Sequence, residues 1–142
     1  MNFHSMNNLF SDCLKAAIAE MNEILYRHSA KSIPLVEKLR LISIDLISLS
    51  KNRPGVIRLF WRSSNSWKQH FFSEAVEVMR YGEKSGELKK EVDIRMATLM
   101  FFGTLFAILE GDSEFPVEPT TVISLVFSGI GKEADEYSTE DC

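Results

Sequence analysis

The residue types that most often carry enzyme chemistry are few in this chain, and their spacing does not suit catalysis. The three histidines, His4, His28 and His70, lie far apart, and none has a carboxylate or a cysteine at the spacing of a metal site. We interpret each as a surface or edge residue. Glu74 and Glu77 follow His70 at helical spacing, so one helix face could present all three side chains, but we expect that face to be solvated.

Nucleophiles and phosphate-binding loops are equally poorly supported. Cys13 falls on the apolar stripe of the first expected helix, where we expect it to act as a small hydrophobic residue. The serines lack the glycine context of a nucleophile elbow, and no glycine-rich phosphate loop or dinucleotide fingerprint is present. The sequence therefore predicts a protein that is not an enzyme and that uses no metal and no cofactor.

Composition limits the remaining classes of function. The 142 residues suffice for one domain, and the net charge of −4 argues against nucleic-acid binding by this chain alone. The two cysteines, Cys13 and Cys142, have neither metal spacing nor a disulfide framework, which favours a reducing compartment. No signal peptide opens the chain, and the apolar run Met96–Leu109 is too short to span a bilayer. We expect a cytoplasmic protein without a membrane partner.

Apolar residues at helical spacing predict the elements that hold these side chains. The pattern gives an all-α, single helical-bundle domain of about six helices, with no convincing strand alternation. We expect a first helix capped by Asn7 or Asn8 and a second capped by Ser32, with Lys38 and Asp45 facing water. A fifth helix, capped by Asp93 and ending at Gly111, is apolar nearly all round, so it needs cover on two sides.

Five passages, taken in order, resemble the C-terminal domain of TetR-type transcriptional regulators. They are the opening Phe3–Phe10, the helix start Pro34–Arg40, the break Asn52–Gly55, the passage Gly82–Met96 (GEKSGELKKEVDIRM) and the closing Ser128–Ile130. The resemblance covers roughly residues 3–132. It implies that residues 1–8 are the remnant of a junction to a DNA-binding domain absent from this chain, that residues 9–133 bind ligand and dimerise, and that residues 134–142 form a disordered acidic tail.

The function implied by the resemblance is that of an effector-sensing and homodimerisation domain, which would contact DNA only through the absent N-terminal domain. The partners would be a second copy of the chain and a small hydrophobic or amphipathic effector. The alternative that we keep is a helical protein-interaction domain of the same shape without DNA binding.

The resemblance also implies an effector pocket between the first, second, fourth and fifth helices. For any single aromatic residue of this region, core packing is the alternative role. The candidate pocket residues, chosen by position and side-chain type, are Phe60, Trp61, Trp67, His70, Phe71, Ser73, Met79, Thr98, Phe101 and Phe102, with Gln69 and Thr104 as further polar candidates.

By the same resemblance, the last two long helices of each subunit would pack into a two-fold dimer. Gly103 and Ala107, four residues apart, permit close helix approach, whereas the alternative role for these helices is the core of a monomer. The candidate interface residues are Met96, Met100, Gly103, Ala107, Val122, Val126, Ser128 and Gly129.

Overall fold

The computed structural model describes residues 3–53, 55–62, 66–111 and 118–130, and these ranges contain six α-helices and no β-strand. The helices are α1 (Phe3–Ser29), α2 (Leu35–Asn52), α3 (Val56–Arg62), α4 (Ser66–Ser85), α5 (Ile94–Glu110) and α6 (Pro119–Ile130). The all-α prediction is therefore confirmed. The tail expected at 134–142 lies outside the described residues.

Two helix starts show how local capping signals succeed and fail. Asp93 caps α5 as predicted, because its Oδ1 accepts the backbone N–H groups of Arg95 and Met96 at 2.9 and 3.2 Å. The first helix, in contrast, begins at Phe3 and continues through the asparagines that we expected to cap it. Asparagine is a good cap but only a mildly unfavourable residue inside a helix, so an Asn pair does not by itself fix a boundary.

The helices pack around one core built largely from the aromatic and aliphatic residues of α1, α2, α4 and α5. α4 lies against α5 and α1, while α1 also packs on α2 and α3, and α6 closes the bundle against α2 and α5. The largest completely buried side chains are Phe60, Phe71, Phe101, Phe102, Phe106, Met21, Leu35, Leu39, Ile42, Leu46, Ile57 and Met79.

The N-terminus of α2 is held by a residue far along the chain. Ser32 is not its cap: the capping position is Pro34, which makes no side-chain hydrogen bond. The backbone N–H of Leu35 instead donates to both carboxylate oxygens of Glu87, at 2.8 and 3.0 Å. A carboxylate at this position satisfies a free N–H and interacts favourably with the helix dipole.

Glycines shape the connection that brings Glu87 to α2. A Cβ on Gly82 would lie 2.1 Å from Cδ2 of the fully buried Leu35, so α4 and α2 can approach this closely only with glycine here. Gly86 has φ +80°, a backbone conformation that other residues rarely adopt, and it turns the chain out of α4. The passage that carried the resemblance is thus a close helix–helix contact followed by a cap.

Two polar residues expected at the surface are buried. Lys38 is 2% exposed, with its Nζ donating to the carbonyl of Ser29 at 2.9 Å and lying 3.6 Å from the centre of the Tyr81 ring. Burial lowers the pKa of the Lys38 ammonium, and the charge of Glu87 opposes that shift. His28 is 4% exposed, because its Nε2 pairs with Oδ2 of Asp45 at 2.5 Å across α1 and α2.

Cys13, which we predicted to lie on the apolar stripe of the first helix, is instead exposed. From Asp12 onward, where the burial of α1 side chains is described, the buried residues are Leu14, Ala17, Ile18 and Met21 and their helical repeats, and Cys13 falls just outside that arc. None of the helices in the described part of the chain is long and apolar enough to cross a membrane.

The Gly82 contact yields a stability prediction. Gly82→Ala should destabilise the fold by about 1–3 kcal/mol, because the new methyl group overpacks against Leu35. The matched control is Gly103→Ala, also inside a helix, where an added Cβ meets nothing within 4 Å. Compared at concentrations where the proteins are monomeric, so that the candidate interface role of Gly103 does not enter, that variant should be neutral or stabilising by up to about 1 kcal/mol. Urea denaturation measures both, and equal effects of the two variants would contradict the packing argument.

The Glu87 cap yields a second prediction. Glu87→Ala should lower the free energy of unfolding by about 1–2 kcal/mol, since the Leu35 N–H loses its acceptor. Glu87→Gln keeps one acceptor oxygen and should cost less. Glu91→Ala removes an exposed carboxylate from the same connection and serves as the control. A Glu87→Ala variant no less stable than Glu91→Ala would show that the cap contributes nothing.

Candidate functional site

The aromatic residues proposed for a pocket form a packed cluster of rings. Phe60 contacts Phe71 and Phe106 with ring centres 5.4 and 5.3 Å apart, and Phe101 meets Phe102 edge-on at 5.0 Å. Such tilted and edge-to-face arrangements are those that aromatic pairs prefer in cores. Phe60, Phe71, Phe101, Phe102 and Met79 are completely buried, so in this structure they support a site from behind.

A groove of about 430 Å³ runs along the surface between α4 and α5. On α4 its lining residues recur at helical spacing, at Gln69, Phe72, Ser73, Val76, Glu77 and Arg80. On α5 they are Arg95, Thr98 and Leu99. The volume falls in the range of small-molecule sites, and the lining combines an apolar wall with a few polar groups. Three of the predicted pocket residues line it: Gln69, Ser73 and Thr98.

Some polar groups of the groove already have hydrogen-bond or ion-pair partners, and others do not. Thr98 is buried, and its Oγ1 donates to the carbonyl of Ile94 at 2.7 Å, so its hydroxyl hydrogen is already used. Arg80 lies 3.6 Å from Glu77, and both side chains of this pair are substantially exposed. Within the described part of the chain, the guanidinium of Arg95 takes part in no hydrogen bond or ion pair. The groove therefore has one more positive charge than negative.

The other predicted pocket residues lie away from the groove. His70 is exposed and lies 4.0 Å from Glu74, an ion pair that forms only when the histidine is protonated. Trp61 is half-buried, with its ring 5.7 Å from that of Phe106. Thr104 is exposed, and the side chain of Trp67 lies outside the described residues. The predicted pocket as a whole therefore stays a prediction.

A second cavity, of about 320 Å³, lies where α1, α2 and α4 meet. Its rim carries Tyr26 and Tyr81, and its walls carry Lys38 together with Glu74 and Arg80. The buried ammonium of Lys38 already has the Ser29 carbonyl and the Tyr81 ring as partners. We interpret this cavity as a gap beside a structural contact between three helices.

α5 is buried along one side only. Its other side exposes Met96 (55%), Leu99 (52%) and Met100 (41%), with Gly103 and Ala107 on the same arc of the helix. α6 exposes Leu125 (70%), flanked by the exposed Ser124 and Ser128. We call the five α5 residues together with Ser124, Leu125 and Ser128 the α5/α6 face.

The α5/α6 face contains five of the candidate interface residues: Met96, Met100, Gly103, Ala107 and Ser128. Val122 and Val126 do not belong to it, because they are 3% and 6% exposed and pack in the chain's own core, which leaves almost no surface for a partner. Nothing is described of the surroundings of Gly129. The dimer interface itself stays a prediction.

The described ranges contain no cluster of side chains suited to a metal ion. No group of three or more His, Cys, Asp or Glu side chains there could hold a metal ion. The closest histidine contact, between His28 and Asp45, is completed on the other ring nitrogen by Lys31, whose Nζ lies 3.1 Å from Nδ1. With both ring nitrogens engaged and the ring buried, His28 is a structural residue.

Known structures with the same helix arrangement identify the fold. SmeT, the repressor of the Stenotrophomonas maltophilia multidrug efflux pump SmeDEF, superposes with a TM-score of 0.69 at 16% identity over 91% of this chain and 84% of its own. SCO3833, a TetR-family regulator from Streptomyces coelicolor, superposes with a TM-score of 0.70 at 18% identity over 89% of this chain and 72% of its own. The chain has a TetR-type fold. No protein-family model and no curated protein sequence matches it.

The sequence predicted the region of the groove, but most of the residues in its wall were missed. Val76, Arg80 and Arg95 were not proposed, although Phe72, Val76 and Arg80 follow one another at intervals of four on α4. That spacing was the available signal. Leu99 and Leu125 were missed on the α5/α6 face because large aliphatic residues on an apolar helix give no indication of which side is covered.

Proposed function

We propose that this chain is the effector-sensing and homodimerisation domain of a TetR-type transcriptional regulator. The observation that carries the proposal is that, in a TetR-type fold, α5 borders an open groove on one side and exposes an uncovered apolar stripe on another. The two similar structures belong to transcriptional regulators, one of them a repressor of a multidrug efflux pump. A small-molecule effector fits the groove, and a second copy of the chain fits the stripe.

Homodimerisation is supported by the composition of the exposed stripe along α5, which forms the larger part of the α5/α6 face. Met96, Leu99, Met100, Gly103 and Ala107 span about 100° of the circumference of α5, as the helical repeat requires. Monomeric soluble proteins rarely leave a continuous apolar patch of this kind in water. Gly103 and Ala107 let a partner helix approach closely, and a two-fold axis would place the same face on both subunits.

Effector sensing is supported by the way the groove-forming helices connect to the rest of the bundle. α4 forms one wall of the groove and also packs against α1, the long first helix. A ligand that binds better to one spacing of α4 and α5 would shift the population toward that arrangement. The shift would reach α1 through its contact with α4, and α1 would transmit it to a DNA-reading head.

The dimer proposal predicts the effect of two substitutions on α5. Sedimentation equilibrium at micromolar concentration should give twice the mass of one chain for the wild-type protein. Gly103→Leu and Met100→Glu should each shift the protein toward the monomer by at least about tenfold in dissociation constant, since one blocks close approach and the other places a charge in an apolar contact. Circular dichroism should show unchanged helix content, because a Cβ added at Gly103 has no atom within 4 Å beyond the neighbouring backbone of its own helix and Met100 is substantially exposed.

The matched control for Met100→Glu is Val36→Glu, an apolar-to-acid change at 39% exposure, compared with 41% for Met100, on α2. This variant should sediment like the wild type. A wild-type chain that sediments as a monomer, or a Val36→Glu variant that dissociates as readily as Met100→Glu, would refute the assignment of the α5/α6 face to a two-fold interface.

A further inference from the structure

We propose that the α4–α5 groove binds an anionic amphiphile, with an oxyanion head group held by Arg80 and Arg95 and an apolar tail lying along Phe72, Val76 and Leu99. This inference rests on the proposed function and deepens it, because it names the chemical class of the effector. It follows from the charge, the polarity and the free hydrogen-bonding groups of the groove.

Charge favours an anion over a cation. Arg80 and Arg95 face a single carboxylate in the groove, that of Glu77, which already lies beside Arg80 at 3.6 Å. The Arg95 guanidinium has no partner among the described side chains. Guanidinium groups bind carboxylate, sulfate and phosphate oxygens through paired N–H donors, and such charge-assisted hydrogen bonds are among the strongest in proteins.

The two arginines lie at the same end of the groove. Arg80 is in the last two turns of α4, Arg95 is in the first turn of α5, and the short connection of residues 86–93 joins these two helix ends. Gln69 lies eleven residues before Arg80, which corresponds to about 16 Å along the helix axis. The groove thus has a cationic end and extends away from it for roughly that distance.

The wall beyond the arginines suits a hydrocarbon tail. Phe72 and Val76 are half-buried and Leu99 is about half exposed, so a tail would cover apolar surface that now faces water. Thr98 has no hydroxyl hydrogen to offer, because that hydrogen is donated to the Ile94 carbonyl. A strongly polar ligand would find only Gln69 and Ser73 as partners along this wall.

The helix N-terminus near Arg95 does not provide the anion site. The carboxylate of Asp93 already accepts the N–H groups of Arg95 and Met96, so these donors are occupied. The head group must therefore bind the guanidinium side chains, which makes the inference testable by changing those side chains alone.

The experiment is isothermal titration calorimetry of the full chain with decanoate, below the concentration at which it forms micelles. Decyltrimethylammonium serves as the cationic probe with the same tail. Decanoate should bind at least about tenfold more tightly than the cation. Arg95→Gln and Arg80→Gln should each weaken decanoate binding about tenfold or more, as expected when one charge-assisted pair is lost. Arg58→Gln, which removes an exposed guanidinium on α3, should change nothing.

A further variant tests whether the apolar tail of the ligand lies in the groove. Ser73 is exposed on the rim of the groove, so Ser73→Trp should fill the groove and abolish binding without disturbing the core. Val36→Glu, an apolar-to-acid change on α2 outside both the groove lining and the α5/α6 face, should leave decanoate affinity unchanged. Loss of binding in Met100→Glu but not in Ser73→Trp would place the amphiphile on the α5/α6 face and overturn the inference. Circular dichroism confirms that each variant is folded.

The outcomes separate the two proposals. Equal decanoate affinity in the wild type, Arg80→Gln and Arg95→Gln would overturn the anionic head-group site. Tighter binding of decyltrimethylammonium that Ser73→Trp abolishes would also overturn it, while the groove would stand as an effector site of a different class. Absence of binding by either probe to a protein that sediments as a dimer would refute the inference and leave the dimerisation part of the proposed function intact.

Discussion

A single chain buries only one side of the apolar helix α5, and the other elements of the structure are arranged under this constraint. This helix is apolar on nearly every side, and the bundle buries only the side that carries Phe101, Phe102, Leu105 and Phe106. That burial organises the aromatic cluster and fixes α4 and α3 against α5. The opposite side, with Met96 and Met100, is left in water at a free-energy cost that a partner surface would remove.

The connection between α4 and α5 determines how α5 is presented. Gly82 lets α4 touch Leu35 of α2, and Glu87 then binds the N–H of the same leucine. Leu35 of α2 is thereby held by one contact from the last turn of α4 and one from the connection, and Asp93 starts α5 a few residues later. Since α4 and α5 flank this connection and also pack on each other, the α2 contact anchors the end of the groove at which Arg80 and Arg95 lie.

Sequence signals predicted the features of the fold that depend on interactions between residues close together in the chain. Asp93 caps the helix that follows it, and Gly86 adopts the left-handed conformation expected after a helix. The cap of α2 could not be found this way, because Glu87 is 52 residues away from Leu35 and only tertiary packing brings them together. The wall of the groove could not be predicted for the same reason: it is formed by two helices, and the sequence of neither helix alone determines how the two pack together.

The buried polar residues show a different reason for failure. Lys38 comes three residues after Leu35 and four before Ile42, so periodicity alone would have placed it in the buried stripe of α2. His28 likewise comes three residues after the buried Leu25. Because both side chains are polar, we predicted that they would lie at the surface. That prediction was wrong because each side chain is buried with a partner: the Ser29 carbonyl for Lys38 and Asp45 for His28. Helical position was the stronger signal, since a paired polar group tolerates burial.

Leu99 joins the two features on which the functional proposals depend. It lines the groove between α4 and α5, and it is also half exposed on the α5/α6 face. A ligand tail that packs against Leu99 and a second subunit that packs against its neighbours would therefore act on the same turn of α5. If both bind, their free energies are coupled, and the coupling is reciprocal: whatever the ligand does to dimer affinity, the dimer does equally to ligand affinity. A regulator of this fold would thus connect sensing and assembly through one helical turn, without a separate relay between two distant sites.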